Sequence, residues 1–303
     1  MPKVYDCFPY DGERILDLRL RLLWDVVDWF VIGESELTHV GQPKTIRFDE
    51  KRHAWAMPKI RFLRMPPRVF AGCKDNWERE NLQRIELKRG FADAADDDVV
   101  MVSDTDEIPN PALVAGAANH PRDGIRAFTQ LMFYFYGDYL CTSDPFWVGT
   151  KAVSGAVARA SSLQDIRTDP KRLQRRVVKV PDGGWHYSYL GGVDTVIEKV
   201  QRFVHTEVNL PEYRDRERIR QRIARGEDVF SRSLTYGRVT GYDRGHKALR
   251  DWFAAREDLL SPPGVPFAGE VSAVTARHRG PGRFWRKLRR SLQKRIGPRL
   301  TRD

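Results

Sequence analysis

Val99-Val100-Met101-Val102-Ser103-Asp104-Thr105-Asp106-Glu107-Ile108-Pro109 decides how this chain is read. Four apolar residues run directly into three carboxylates separated by one Thr. A short continuous apolar run is the pattern of a strand buried on both faces. Pro109 stops the extended run, or at least cannot donate a ladder hydrogen bond. The carboxylates are therefore expected where a buried strand leaves its sheet, the edge at which open α/β sheets bind ligands. Asp104 and Asp106, two apart, are placed to hold one hard divalent cation, the usual partner of a diphosphate. An enzyme acting on a nucleotide-linked substrate is expected. The alternative is a solvated acidic turn or the acidic first turn of a helix. Against it, three carboxylates at a strand end repel one another unless a cation or a basic side chain compensates.

The first hundred residues alternate strand and helix signals. Val4–Phe8 reads as a strand ending at Pro9, and Glu13 to Val27 as a helix with Ile15, Leu18 and Leu22 on one face. Trp29–Ile32 is a second strand meeting Gly33-Glu34-Ser35, and Ile60–Leu63 a weaker third. Asn76 to Arg89 reads as a helix, with Asn76 as its cap and Gly90 as its stop. Such alternation implies βαβ units, an α/β fold with a central, mostly parallel mixed sheet flanked by helices. Beyond Pro109, Arg126–Tyr136, Phe146–Val148 and Val177–Val180 read as strands. Asp194–Val204 and residues 212–228 read as helices. Ser261-Pro262-Pro263-Gly264-Val265-Pro266 signals a linker, giving a catalytic body over 1–260, a linker over 261–276 and a tail over 277–303.

Composition narrows the classes. The 303 residues suffice for one large domain or two small ones. Cys7, Cys73 and Cys141 are odd in number and form no CxxC pair, so neither a disulfide framework nor a zinc knuckle is indicated. The N-terminus has no apolar signal core, and no run approaches the ~18 apolar residues of a membrane span. A cytoplasmic location is expected, free or on the cytoplasmic face of a membrane. The net charge of +11 is unevenly spread: residues 277–303 hold 11 Lys or Arg and one acid, leaving 41 basic against 40 acidic side chains elsewhere. A near-neutral body argues against a nucleic-acid-binding protein, and no specific nucleic acid is expected.

In the tail, Trp285, Leu288, Leu292 and Ile296 line one helical face with Phe284 beside them, and Arg and Lys cover the rest. That is the composition of an interfacial helix on anionic lipid. The other readings are a disordered basic tail and nonspecific binding to nucleic acid.

A second chemistry-bearing stretch is Gly183-Gly184-Trp185-His186. Paired glycines permit close backbone approach or positive φ. Trp185 is a candidate to stack on a sugar or base, and His186 to ligate a metal or bind phosphate. A glycine turn with a core Trp and a hydrogen-bonded His explains the same residues. Phe8-Pro9-Tyr10 and Glu34-Ser35 end the first two strands, and in a parallel sheet they share the edge of Asp104 and Asp106. Phe8, Pro9, Tyr10 and Glu34 are accordingly candidates for base and ribose contacts. His39, His53, His120 and His246 have no partner at ligand spacing, while His205 and Glu207 offer at most one ligand. Walker loops, nucleophile elbows and dinucleotide glycine fingerprints are absent from the sequence.

With these residues in view, the chain resembles the β-1,4-mannosyl-glycoprotein β-1,4-N-acetylglucosaminyltransferase family, the bisecting GlcNAc transferases and their bacterial relatives. The blocks are Asp6-Cys7-Phe8-Pro9-Tyr10, Asp17-Leu18-Arg19-Leu20, Val27–Ser35 with Thr38, Gly41 and Pro43, Ser103–Pro109, and Gly184-Trp185-His186-Tyr187-Ser188-Tyr189. They come in the family's order over roughly residues 4–205. The resemblance implies an inverting glycosyltransferase of the GT-A type, with UDP-GlcNAc as donor and Mn²⁺ or Mg²⁺ as cofactor. It implies Asp104 and Asp106 as the metal-and-diphosphate pair, and brings Glu107 and His186 into matching motifs as catalytic candidates. The acceptor would be a glycan or lipid-linked glycan; a bisected N-glycan does not suit a cytoplasmic protein.

The chemistry then needs a cation to stabilise the departing UDP, a base for the acceptor hydroxyl and an aromatic wall for sugar rings. Glu107 comes first among the base candidates, before Glu34 and Asp182; Trp147, Trp185 and Tyr187 are candidates for the wall. A nucleotidyltransferase, or another metal-dependent enzyme of nucleotide diphosphates, shares the strand-end carboxylates. It would usually carry a Gly-rich or basic loop after the first strand, where Phe8-Pro9-Tyr10-Asp11-Gly12 is aromatic and acidic. An Asp-x-Asp phosphohydrolase would place Thr where Ile108 stands.

Overall fold

A computed structural model describes residues 2–115, 124–202 and 209–278. Strand β1 (Val4–Pro9), helix α1 (Leu16–Leu23), β2 (Trp29–Ser35) and β3 (Ile60–Met65) open the chain. Helix α2 (Asn76–Glu86), continued by a 3-10 turn over Leu87–Phe91, leads to β4 (Val99–Val102). There follow β5 (Glu107–Pro109), α3 (Pro111–Ala115), β6 (Ile125–Tyr134), β7 (Tyr139–Cys141), β8 (Phe146–Ser154), α4 (Gly155–Ala160) and α5 (Leu163–Thr168). The rest comprises β9 (Val177–Val180), β10 (Gly184–Ser188), α6 (Val193–Arg202), α7 (Arg216–Ala224), β11 (Tyr236–Thr240), α8 (Lys247–Ala254), β12 (Phe267–Glu270) and α9 (Val271–Ala276).

All twelve strands among the described residues join one sheet, whose main path runs β12-β11-β7-β6-β8-β4-β1-β2-β3. The end β4-β1-β2-β3 is parallel throughout, with Cys7 level with Val102 on one side and Val31 on the other. From β1 the chain steps outward to β2 and β3, then returns to the opposite side of β1 as β4. The strand order reverses between β1 and β4, and beyond the carboxyl ends of two such strands is where open α/β sheets bind ligands. Beyond β4 the sheet is mixed, because β8 runs antiparallel to both β4 and β6. Six of the eleven pairings among the described strands are parallel, three of them in the β4-β1-β2-β3 end and three scattered through the mixed part.

The apolar run of β4 is buried on both faces. Val99 and Met101 pack with Leu16, Phe30 and Phe128, whereas Val100 and Val102 pack with Tyr5, Cys7, Phe91 and Val153. Side chains alternate along a strand, so a strand between two packed layers must be apolar at every position. A third cluster packs α6 and α7 through Val196, Val200, Ile219 and Ile223 against Tyr134, Tyr139 and Tyr236.

Several boundaries differ from those read off the sequence. Helix α1 starts at Leu16, because Glu13 folds back to accept the Asp11 N–H at 2.8 Å and holds Asp11–Glu13 in a turn. The cap of α2 is Asp75, which accepts from Glu78 N, with Asn76 inside the helix. Pro109 is the last residue of β5, whose sole strand partner among the described residues is β10, and at a margin a missing N–H is tolerated. Residues 267–276 are not linker. Strand β12 pairs with β11, and Val271 and Val274 of α9 enter the main core. No helix among the described residues is long and apolar enough to cross a membrane. His120, His205, Glu207 and the tail from residue 279 onward lie outside the described residues.

Candidate active site

A buried arginine organises the acidic loop. Arg19 lies on the inner face of α1 and makes a bidentate pair with Asp6 of β1, Nε to Oδ2 at 2.8 Å and Nη2 to Oδ1 at 2.6 Å. Its Nη2 also donates to Ser103 Oγ, and Nη1 to the carbonyls of Asp104, Thr105 and Glu107 at 2.8, 3.1 and 3.0 Å. The Phe8 ring closes over the guanidinium at 4.1 Å. One side chain thus supplies donors to three loop carbonyls, two of which are also paired within the protein, Asp104 O with Glu107 N and Glu107 O with Thr150 Oγ1. The Thr105 hydroxyl donates to Pro9 O and ties the loop to the end of β1.

The three carboxylates of the loop have different partners. Asp104 Oδ1 accepts from Arg84 and Oδ2 from Arg167, each at 2.9 Å. Burial would push its carboxyl up, but the charges of Arg167 and Arg84 outweigh burial and hold it well below the usual carboxylate range. Glu107 is fully buried. Its Oε1 accepts from Arg167 and from Trp147 Nε1, and its Oε2 from Asp104 N at 3.2 Å. Asp106 Oδ2 pairs with Lys199 Nζ at 3.2 Å, and Oδ1 faces His186 Nε2 at 3.6 Å. Burial opposes the Lys199 charge, and the neighbouring Asp106, Tyr189 and Glu13 outweigh it and raise its pKa.

Strand alternation explains His186. In β10, His186 lies opposite Glu107 and Trp185 opposite Ile108. Trp185 and Tyr187 therefore point into the core while His186 points to the acidic loop. Gly184 permits the pairing: at φ +121 a Cβ there would lie 2.1 Å from Ile108 O. The His186 ring lies against Trp147, tilted by 31° with centroids 5.2 Å apart. Its Nδ1 is buried without a hydrogen-bond partner.

Several sequence candidates take other positions. Trp185 is fully buried and donates Nε1–H to Tyr242 O at 2.8 Å, and Tyr187 is core, so neither offers a ring face to a sugar. Trp147 is partly exposed and remains for that task. Phe8 is sealed beneath Arg19. Pro9 is partly exposed at the switch point; Tyr10 is buried, edge-on to Phe48 at 6.3 Å. Glu34 is buried, paired with Lys44 at 2.8 Å, and accepts the N–H groups of Arg47 and Phe48. It shapes the loop after β2 instead of meeting a ribose. Asp182 pairs with Arg244 at 2.9 Å. Glu107, Glu34 and Asp182 are thus all engaged by neighbouring donors.

The structure adds residues the sequence reading did not single out: Arg84, Arg167, Lys199 and Glu13. Arg19 carried one signal, a charge at the i+4 position from Ile15 and the i+3 position from Leu16 on an otherwise apolar face. Glu13 is partly buried at the β1–α1 turn; burial and the nearby Asp11 push its carboxyl up to about 7.

Asp106 and His186 fit a divalent cation, and Asp104 does not. Both oxygens of Asp104 are taken by buried guanidinium groups. Asp106 Oδ1 and His186 Nε2 are too far apart for a hydrogen bond and close enough to bind one ion. Among the described residues no three His, Cys, Asp or Glu side chains gather into a metal site. An ion here would complete its shell from a diphosphate and water, as Mg²⁺ commonly does.

A carboxylate, an imidazole and an ammonium gathered at the switch point of the sheet mark an α/β enzyme. A family model for glycosyltransferase family 17 matches residues 1–234, and the chain belongs to that family. Over 106 residues, 31% of this chain, it is 34% identical to the beta-1,4-mannosyl-glycoprotein 4-beta-N-acetylglucosaminyltransferases of Homo sapiens and Rattus norvegicus. It is 33% identical over the same length to that of Mus musculus. The match spans 19% of each relative, about a fifth of its length. Among solved structures, S. aureus TarS 1-349 is similar at a TM-score of 0.36 and 12% identity, covering 85% of this chain and 80% of that one. A likeness at that level carries no argument.

Proposed function

We propose that the chain transfers N-acetylglucosamine from UDP-GlcNAc to a hydroxyl of a glycan or lipid-linked glycan, with inversion, in a GT-A-type site that uses Mn²⁺ or Mg²⁺. The observation that carries this reading is the Asp106–His186 pair at the β1/β4 switch point, in a chain of glycosyltransferase family 17. When bound, the cation supplies charge stabilisation to the departing diphosphate. Asp106 and His186 would hold it; Glu107 fixes Arg167 and Trp147, and its strand pairing sets His186. Trp147 presents its partly exposed ring beside His186 as the wall for a sugar. From sequence alone, the tail is proposed to rest on an anionic membrane at the cytoplasmic face, which suits a lipid-linked acceptor.

The test is a thermal-shift panel of sugar nucleotides with and without Mn²⁺, followed by assays of UDP-GlcNAc hydrolysis and transfer. UDP-GlcNAc with Mn²⁺ should stabilise most, since a ligand at 100 times its Kd adds about 2.7 kcal/mol. Stabilisation by no sugar nucleotide, or activity undiminished by EDTA, would overturn the reading.

A further inference from the structure

We infer that Lys199 is an exchangeable counter-ion: its ammonium neutralises Asp106 while the site is empty and passes to the donor diphosphate when cation and donor bind together. This rests on the proposed nucleotide-sugar function.

The cations around the acidic loop are of two kinds. Arg84 and Arg167 have side chains only 3% and 8% exposed. Both are buried, so neither can leave Asp104 without abandoning a buried charge. Lys199 has a side chain 27% exposed, and its compact ammonium rides on a flexible stem. It bonds Asp106 Oδ2 at 3.2 Å, lies 5.1 Å from the Tyr189 ring centre and feels the charge of Glu13. Lys199 thus stands between the loop after β4 and the turn after β1, at the switch point, where a diphosphate is expected.

Charge makes the exchange necessary. A divalent ion at Asp106 Oδ1 and an ammonium at Oδ2 repel each other across one carboxylate, so Lys199 opposes uptake of the ion alone. A sugar nucleotide brings two negative charges on its diphosphate. Asp106, the ion, Lys199 and the diphosphate then neutralise one another, whereas without Lys199 the set is left negative. Cation and donor are therefore coupled through Lys199, and the coupling is reciprocal.

The experiment measures Mn²⁺ binding by electron paramagnetic resonance of the free ion and UDP binding by calorimetry, on the full chain and on Lys199→Met and Lys199→Gln. The wild type should bind Mn²⁺ weakly alone and at least about fivefold more tightly with UDP. Both variants should bind Mn²⁺ alone more tightly and lose most of the gain from UDP. Wild-type Mn²⁺ affinity and undiminished coupling in both variants, with coupling present in the wild type, would overturn the role of Lys199 and leave the proposed function standing. A wild type that takes up neither UDP nor Mn²⁺ would overturn both.

Discussion

Arg19 and Asp6 form a fully buried bidentate pair, and the same guanidinium holds three carbonyls of the loop that carries Asp104, Asp106 and Glu107. The pair joins α1 to β1, and the loop leaves β4, so one residue couples the two strands that flank the switch point. Removing one partner of a buried pair leaves an uncompensated charge, which costs about 3–5 kcal/mol.

Arg19→Met should therefore destabilise the protein by about 3–5 kcal/mol. It should also loosen residues 103–107, seen as faster amide exchange there than in β2. A loss below about 1 kcal/mol in urea unfolding would show that the loop is held by other contacts.

Asp104 and Asp106 should separate on substitution. Asp106→Asn should abolish Mn²⁺ binding and lower transfer by about 100-fold or more. Asp104→Asn should leave Mn²⁺ binding intact and lower stability by about 1–2 kcal/mol, since its carboxylate is partly exposed. Calorimetric titration of both variants with Mn²⁺ and UDP checks this; equal loss of the ion in both would restore Asp104 as a ligand.

Glu13 should leave a signature in the pH dependence of stability. Its carboxyl is raised from 4.5 to about 7 in the folded chain. Between these values the folded state keeps a proton that the unfolded state has released, so the contribution of Glu13 falls as pH rises through this window. Urea unfolding at pH 5 and pH 7.5 should show a smaller loss of stability on raising pH in Glu13→Gln than in the wild type. Equal losses in the two proteins would refute it.

Deleting residues 277–303 should release the protein from vesicles containing anionic lipid. Co-sedimentation with phosphatidylserine vesicles at two salt concentrations reports this, and unaltered binding would place the membrane contact elsewhere.

The sequence by itself determined the parallel end of the sheet, because a strand buried on both faces has no polar position to spare. Val99–Val102 and Trp29–Ile32 could be read for that reason, and the acidic loop after β4 with them. The motif order also sufficed to place the chain in its glycosyltransferase family. Tertiary structure alone decided which charges meet. Asp104 is neutralised by Arg84 and Arg167, 20 and 63 residues away, and Asp106 by Lys199, 93 residues away. Such pairings depend on how helices dock, and no local period encodes them. It likewise made Trp185 a core residue, since only the pairing of β10 with β5 and β6 settles which face of that strand looks inward, and left Trp147 of β8 partly exposed. A run of prolines and glycine at 261–266 marks a change of direction, but whether the chain beyond it returns to the sheet rests on contacts with β11 that those residues do not announce.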